Sequence, residues 1–247
     1  MIHLFNYAAT LHCMLQIRKL YEVLEAELER NKSNSVVGAI HFPQELNRSH
    51  LIERDLDYFF ADGWRDTCEE MITPAMRRYV ERIRQVGREQ PHLLLAHSYA
   101  RYFGDMSGGQ ILRRLIKKRY DLPGESGQQV YSFENVKSIN DLKALYSARM
   151  NELPLSEEEV ESLVEEARLI FRLNIDNFNE IAARFETPAD ATTPDVTPQA
   201  HKEQVSTILS SFKSLLKFDS LDSLTTVAPY VLGASAAGVA IAMILRR

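Results

Sequence analysis

The stretch Tyr99–Lys118 constrains the fold more than any other part of the chain. It lies within a long helix-compatible run, yet Gly104, Gly108 and Gly109 fall inside six consecutive positions. A glycine in a helix interior costs about 1 kcal/mol relative to alanine, so such a cluster needs a reason. Gly104 and Gly108 are four apart and lie one above the other on one helix face. A face without side chains lets something flat approach the backbone. Asp105 and Ser107 flank the strip and can hold water or a polar atom. The glycines could also end one helix and begin the next, or let two helices pack closely. Spacing alone leaves these readings open.

The rest of the chain points to an all-α domain. Ile17, Leu20, Tyr21, Leu24 and Leu28 recur at helical spacing, with Arg18, Glu22, Glu25 and Glu29 on the other faces. Met1–Met14 extends that helix with a weaker pattern. Pro43 sits in a loop, and Leu51–Phe60 reads as a short helix. Thr73-Pro74 supplies an N-cap and a proline at the first helical position. Met76, Tyr79, Val80, Ile83 and Val86 form one apolar face, and Gly87 is expected to stop the helix. Pro91 opens the glycine-interrupted helix, which ends near Leu122-Pro123-Gly124. A loop to about Asn140 and a short helix over Leu142–Asn151 follow. Ser156 and Glu159 form a capping box. The helix they start carries Val160, Leu163, Ala167, Ile170, Phe171, Phe178 and Ile181 on a core stripe, with Asn174 inside it. No segment shows sustained strand alternation.

Composition limits the function. The chain has 247 residues, enough for one sizeable domain plus appendages, and its net charge of −5 argues against general nucleic-acid binding. Cys13 and Cys68 are too few for a disulfide framework. Met1-Ile2-His3-Leu4-Phe5 lacks a basic n-region, so no signal peptide is expected. The helical domain is read as residues 1–186. Residues 187–200 hold Pro188, Pro194 and Pro198 and read as a flexible linker. Residues 201–218 repeat Val205, Ile208, Leu209, Phe212, Leu215 and Leu216 beside lysines, which suits an amphipathic helix on a membrane surface. Val227–Leu245 is an uncharged, mostly apolar run of 19 residues before Arg246 and Arg247, long enough for a transmembrane tail anchor. Its small residues, Gly233, Ser235 and Gly238, also permit weak self-association through the tail.

Arg101–Gln110, with Ala96-His97-Ser98-Tyr99 before it, closely resembles the distal-helix motif of the haem oxygenases. So do Glu29-Arg30-Asn31-Lys32, His41–Leu46 and Leu145–Asn151, and the match runs from about Ile17 to about Phe185. The resemblance implies an all-α haem-oxygenase-like fold. It also implies O2-dependent cleavage of haem to biliverdin, ferrous iron and carbon monoxide, with electrons from NADPH through NADPH–cytochrome P450 reductase. Gly104 and Gly108 would let the distal helix lie over the haem plate. Asp105 would order water that delivers protons, with Tyr21, Arg101 and Asn174 around that network. Tyr99 and Lys143 match contacts at the propionate edge. Ser147 stands where the family has an arginine, so this edge loses a charge. Phe171 and Phe178 match apolar wall positions. The basic run Arg113, Arg114, Lys117, Lys118 and Arg119 could dock an acidic electron donor. The resemblance places the protein on the endoplasmic reticulum membrane, facing the cytosol; the short span and terminal arginines also suit the mitochondrial outer membrane.

The N-terminal end departs from the family pattern. The family's iron-ligating histidine belongs to a helix upstream of the Glu-Arg-Asn motif, at a position that falls before Met1. The metal ligand is therefore unassigned, and the first family helix is expected to be missing or replaced. His3 and His12 lie in a segment that does not match the ligand motif, and His97 matches a family histidine that does not bind iron. A catalytically impaired, membrane-anchored haem-binding or interaction protein is the alternative expectation.

Overall fold

Helical periodicity becomes helix along most of residues 2–185, which the computed structural model describes. The linker, the amphipathic stretch and the anchor read from the sequence lie outside the described residues. The order is α1 (Ile2–Arg30), α2 (Ser35–Ala39), α3 (Pro43–Leu46), α4 (Ser49–Phe60), α5 (Trp64–Met71), α6 (Pro74–Glu89), α7 (Leu94–Gly104), α8 (Gln110–Tyr120), α9 (Ile139–Asn151) and α10 (Glu157–Phe185). Among the described residues there is no strand, and no helix is long and apolar enough to cross a membrane.

The core is a bundle in which α1 lies along α6, α4 and α10, and α10 also packs on α6 and α7. Leu20, Leu24, Tyr79, Ile83, Leu94, Leu163 and Ile170 meet at its centre and are wholly buried. Each such apolar side chain contributes about 1.5–3 kcal/mol on leaving water. These residues are the apolar stripes of four separate helices, so the periodic pattern and the core are the same fact seen twice.

The helix starts follow local chemistry. Thr73 Oγ1 accepts the Met76 amide at 3.0 Å ahead of Pro74. Ser156 and Glu159 bond reciprocally: the Glu159 amide donates to Ser156 Oγ at 3.2 Å, and the Ser156 amide to Glu159 Oε2 at 2.8 Å. The α9 helix begins earlier than its apolar pattern, at Ile139, because Ser138 caps it through the Asp141 amide at 3.2 Å.

Two expectations need correction, and one charged residue takes a role that its sequence position did not reveal. Gly87 does not stop α6, which continues to Glu89. An ideal Cβ at Gly87 would sit 2.4 Å from Glu27 Oε2, so the glycine is there to let α1 approach α6. Pro43 does not sit in a loop but opens the one-turn α3, where its missing N–H is not needed. Glu25 is not a freely solvated charge: it accepts the backbone amides of Arg48 and Ser49 and caps α4, which has no side-chain cap at its own Arg48 position.

Candidate haem-distal site

The glycine strip neither breaks the helix nor bends it into a loop. Between α7 and α8, residues Asp105–Gly109 form one π-helical turn that keeps the axis continuous. A π turn carries an extra residue per turn and re-aims side chains, and it occurs mostly at functional positions. Gly104 and Gly108 are both buried on this segment. Gly109 faces elsewhere: the Tyr131 ring lies against it, and an ideal Cβ there would be 2.9 Å from Tyr131 Cδ1.

The turn points Asp105 inward, where the Tyr21 hydroxyl of α1 donates to its Oδ2. Burial pushes the Asp105 carboxyl up to about 6; the Tyr21 hydrogen bond and the charges of Arg48 and Arg101 pull the other way without winning. One turn earlier, the Arg101 guanidinium donates to Asn174 Oδ1 of α10. The Asn174 amide donates in turn to Ile170 O at 2.9 Å. Arg101 also lies over the Tyr79 ring, 5.4 Å from its centroid. The structure thus brings Tyr21, Arg101, Asp105 and Asn174 together, on three helices, beside Gly104 and Gly108. Arg101 Nε and the Tyr102 hydroxyl are buried here with no hydrogen-bond partner among the described residues.

The second group is spread over α7, α9 and α10. Tyr99 is buried and stacks on Phe103 with centroids 4.5 Å apart. Tyr146 holds α9 against α7 through its hydroxyl, 2.7 Å from Ser98 Oγ, and through an edge contact with Phe103. Lys143 is half-buried, and burial lowers its pKa. Ser147, one turn on, is buried and its Oγ has no hydrogen-bond partner among the described residues. Phe171 is buried on α10, and Phe178 is half-buried two turns further along.

The iron-ligand candidates fare differently. The side chain of His3 lies outside the described residues. His12 is wholly buried; its Nε2 is 3.4 Å from the Gln16 side-chain nitrogen and its ring meets Phe185 edge-on. Burial, aided by the Arg184 charge, pushes it down to about 4. It precedes Tyr21 by nine positions, about 13–14 Å along the helix at 1.5 Å per residue, so the structure does not bring it to the glycine strip. No group of three or more His, Cys, Asp or Glu side chains among the described residues could hold a metal ion.

Two polar features escaped the sequence reading. Arg48 is buried and donates to the carbonyls of Leu46 and Glu45, each at 2.8 Å, and to that of Ser132. His97, Glu166 and Arg82 form a buried cluster in which Glu166 Oε1 is 3.0 Å from both His97 Nε2 and Arg82 Nε. For Glu166 the only sequence signal was a charged residue inside the α10 stripe, since Arg82 and His97 lie far away along the chain. Arg48 precedes α4 and carried no signal, its distant partner being Ser132. A cavity of about 540 Å³ runs along the basic face of α8, lined by Arg113, Arg114, Lys117 and Glu125 among others. It does not reach Asp105 or Tyr99.

Comparison with known proteins fits this geometry. The Heme oxygenase family model matches residues 6–180. Heme oxygenase 1 of Homo sapiens is 41% identical over 169 residues, covering 68% of this chain and 58% of the relative. Heme oxygenase 2 of Macaca fascicularis is 41% identical over 179 residues, covering 72% and 56%. The crystal structure of heme oxygenase-1 from the cyanobacterium Synechocystis in complex with heme superposes with a TM-score of 0.68 at 33% identity, covering 72% of this chain and 79% of that one. Heme oxygenase from Leptospira interrogans gives a TM-score of 0.64 at 37% identity, covering 70% and 82%. The chain belongs to the haem oxygenase family. It spans less than two thirds of the length of these curated relatives.

Proposed function

We propose that the protein is a haem oxygenase, which cleaves haem with O2 to biliverdin, Fe2+ and CO using electrons from NADPH–cytochrome P450 reductase. The observation that carries the proposal is Asp105: a buried acid, ionising near neutrality, on a bare-backbone helical turn and hydrogen-bonded to Tyr21. Haem is the substrate, and its iron supplies the oxygen chemistry when bound. Gly104 and Gly108 accommodate the plate. Asp105 holds or releases a proton at its carboxyl oxygens, and Tyr21 keeps that carboxyl oriented. Arg101 and Asn174 brace one another beside it, and the buried donors without protein partners fit a site that hydrogen-bonds a polar guest or water. Tyr99, Lys143 and Ser147 would meet the propionates, and Phe171 and Phe178 the ring. The basic side chains of α8 suit docking of the acidic reductase.

A second reading is supported by the placement of His12. The described residues supply the distal half of a haem site and no iron ligand. A haem-binding protein of low turnover is the form this reading takes. The decisive assay reconstitutes the full chain with haemin, reductase, NADPH and O2, with and without added imidazole as a nitrogen ligand. Biliverdin and CO in either arm support the enzyme. Haem that binds but yields neither product, even with imidazole, sinks the enzymatic reading.

The membrane proposal rests on the Val227–Leu245 sequence and the resemblance of the chain. It places the protein on the cytosolic face of the endoplasmic reticulum, with the mitochondrial outer membrane as the alternative. Deleting residues 227–247 should release the protein from carbonate-washed membranes, and a deleted form that stays bound would transfer the anchor to Val205–Leu216.

A further inference from the structure

We infer that Asp55, on α4, is a positioning residue for Asp105 and acts through the short turn Gln129–Tyr131. Asp55 is wholly buried on a helix that contributes nothing to the glycine strip. Its two carboxylate oxygens each take a backbone amide of that turn: Oδ1 accepts Gln129 N–H at 2.8 Å and Oδ2 accepts Val130 N–H at 2.9 Å. The turn is a 3-10 helix without a side-chain cap of its own, and these bonds fasten its amides to α4. The next residue, Tyr131, is buried with its ring against Gly109. An ideal Cβ at Gly109 would lie between that ring and Asp105 Cβ, 2.9 Å from Tyr131 Cδ1 and 3.5 Å from Asp105 Cβ. Gln110 closes the link from the other side, donating to Tyr131 O at 3.0 Å and reaching Asp105 O at 3.4 Å.

Asp55 therefore holds a lid over the π turn. Its distance along the chain from Gln129 is why no local pattern reveals it. The lid matters to Asp105 because burial is the main cause of that carboxyl's raised pKa. The charged and titratable groups facing Asp105 are Tyr21 on α1, Arg48 before α4, Arg101 and Tyr102 on α7, and Tyr131 on the lid itself. Loosening the lid admits water and relaxes the carboxyl towards ordinary behaviour, while Tyr21, Arg48, Arg101 and Tyr102, which lie off the lid, stay in place.

The inference rests on Asp105 being the distal acid, but its test needs no haem. The full chain is labelled with carboxyl-13C aspartate, and the Asp105 signal is assigned by its loss in Asp105→Asn. Asp55→Asn leaves one turn amide facing a side-chain NH2, and Tyr131→Ala removes the ring over Gly109. Each should lower the Asp105 midpoint by about one unit through renewed solvation. Tyr131→Phe keeps the ring and should leave the midpoint in place, which separates this role from general support of the fold. Should Asp55→Asn not fold, Gly109→Ala, which forces the Tyr131 ring aside, applies the same test. An unchanged midpoint in any folded variant that lifts the lid overturns the inference. A protein that shifts as expected yet takes up no haem would sink the proposed function and leave the positioning role standing.

Discussion

Glu166 and Asp105 are both buried carboxyls, on helices that touch, and their environments drive them in opposite directions. Burial would raise the Glu166 pKa, but hydrogen bonds from His97 and Arg82 overcome it and hold the group at about 2. Asp105 has one hydroxyl donor and two arginines at longer range, and burial leaves it at about 6. Burial pushes both upward, and a count of hydrogen bonds does not settle the sign. Asp55 accepts two backbone amides and still rises to about 6, whereas Glu166 falls because the charged Arg82 guanidinium bonds to it directly beside His97. Glu166 is a permanently charged clamp joining α6, α7 and α10. Asp105 is a group that can exchange a proton near neutral pH, as acid–base work requires. Both regions keep buried polar atoms with no hydrogen-bond partner among the described residues: His97 Nδ1 in the first, and Arg101 Nε and the Tyr102 hydroxyl in the second.

The comparison breaks first at Glu166. Glu166→Gln should cost about 3 kcal/mol, the low end for a broken buried pair, because Arg82, whose side chain is 25% exposed, loses its counter-charge. Denaturant unfolding at pH 7 measures it. The wild-type clamp contribution should be complete above pH about 4.5, the ordinary value, and drain away as the pH falls towards about 2, because the folded pKa is depressed. A Glu166→Gln protein with unchanged stability and an unchanged acid limb would mean that the clamp is not what holds these helices.

Asp105→Asn should act with the opposite sign. A raised folded pKa means that stability is lost as the pH rises from about 3.8 through about 6. Removing the charge should therefore stabilise the protein at pH 7, by about 1–3 kcal/mol, and flatten that part of the pH profile. The same variant should make little or no biliverdin, which sets stability against activity at one residue. Loss of stability at pH 7 would show that the Asp105 carboxylate is solvated well enough not to strain the fold.

Tyr21→Phe sharpens the contrast at lower cost. It removes the hydroxyl donor, so the Asp105 midpoint should move further up and stability fall by about 1 kcal/mol. Carboxyl titration and thermal unfolding read the two effects separately. The smallest effect belongs to a control outside both clusters. Ser156→Ala opens the capping box of α10 and should cost about 1 kcal/mol or less while leaving both carboxyls where they are. A shift at either carboxyl would mean that α10 moves as a whole, and the two clusters would no longer be independent.

The sequence by itself determined the longer helices, the caps at Thr73 and Ser156 and the core stripes, because these follow from contacts within a few residues and from a period of 3.6. Thr73-Pro74, Ser156 with Glu159, and the stripe of α10 are of this kind. The resemblance carried by Arg101–Gln110 also singled out Asp105, Tyr21, Arg101 and Asn174, which the fold then placed side by side. The tertiary structure alone decided which charges are buried and what they touch. Gly87 looked like a stop signal, and only the approach of Glu27 from α1 explains a glycine that the helix runs straight through. Glu25 lies off the apolar stripe of α1, and only the assembled fold shows that it caps a different helix. Glu166 meets Arg82 across 84 positions and Asp55 meets Gln129 across 74, separations at which no periodicity carries information. Long-range polar partners are chosen by the geometry of packing, and a buried carboxyl has its pKa set by those partners, so its chemistry becomes legible only when the helices are assembled.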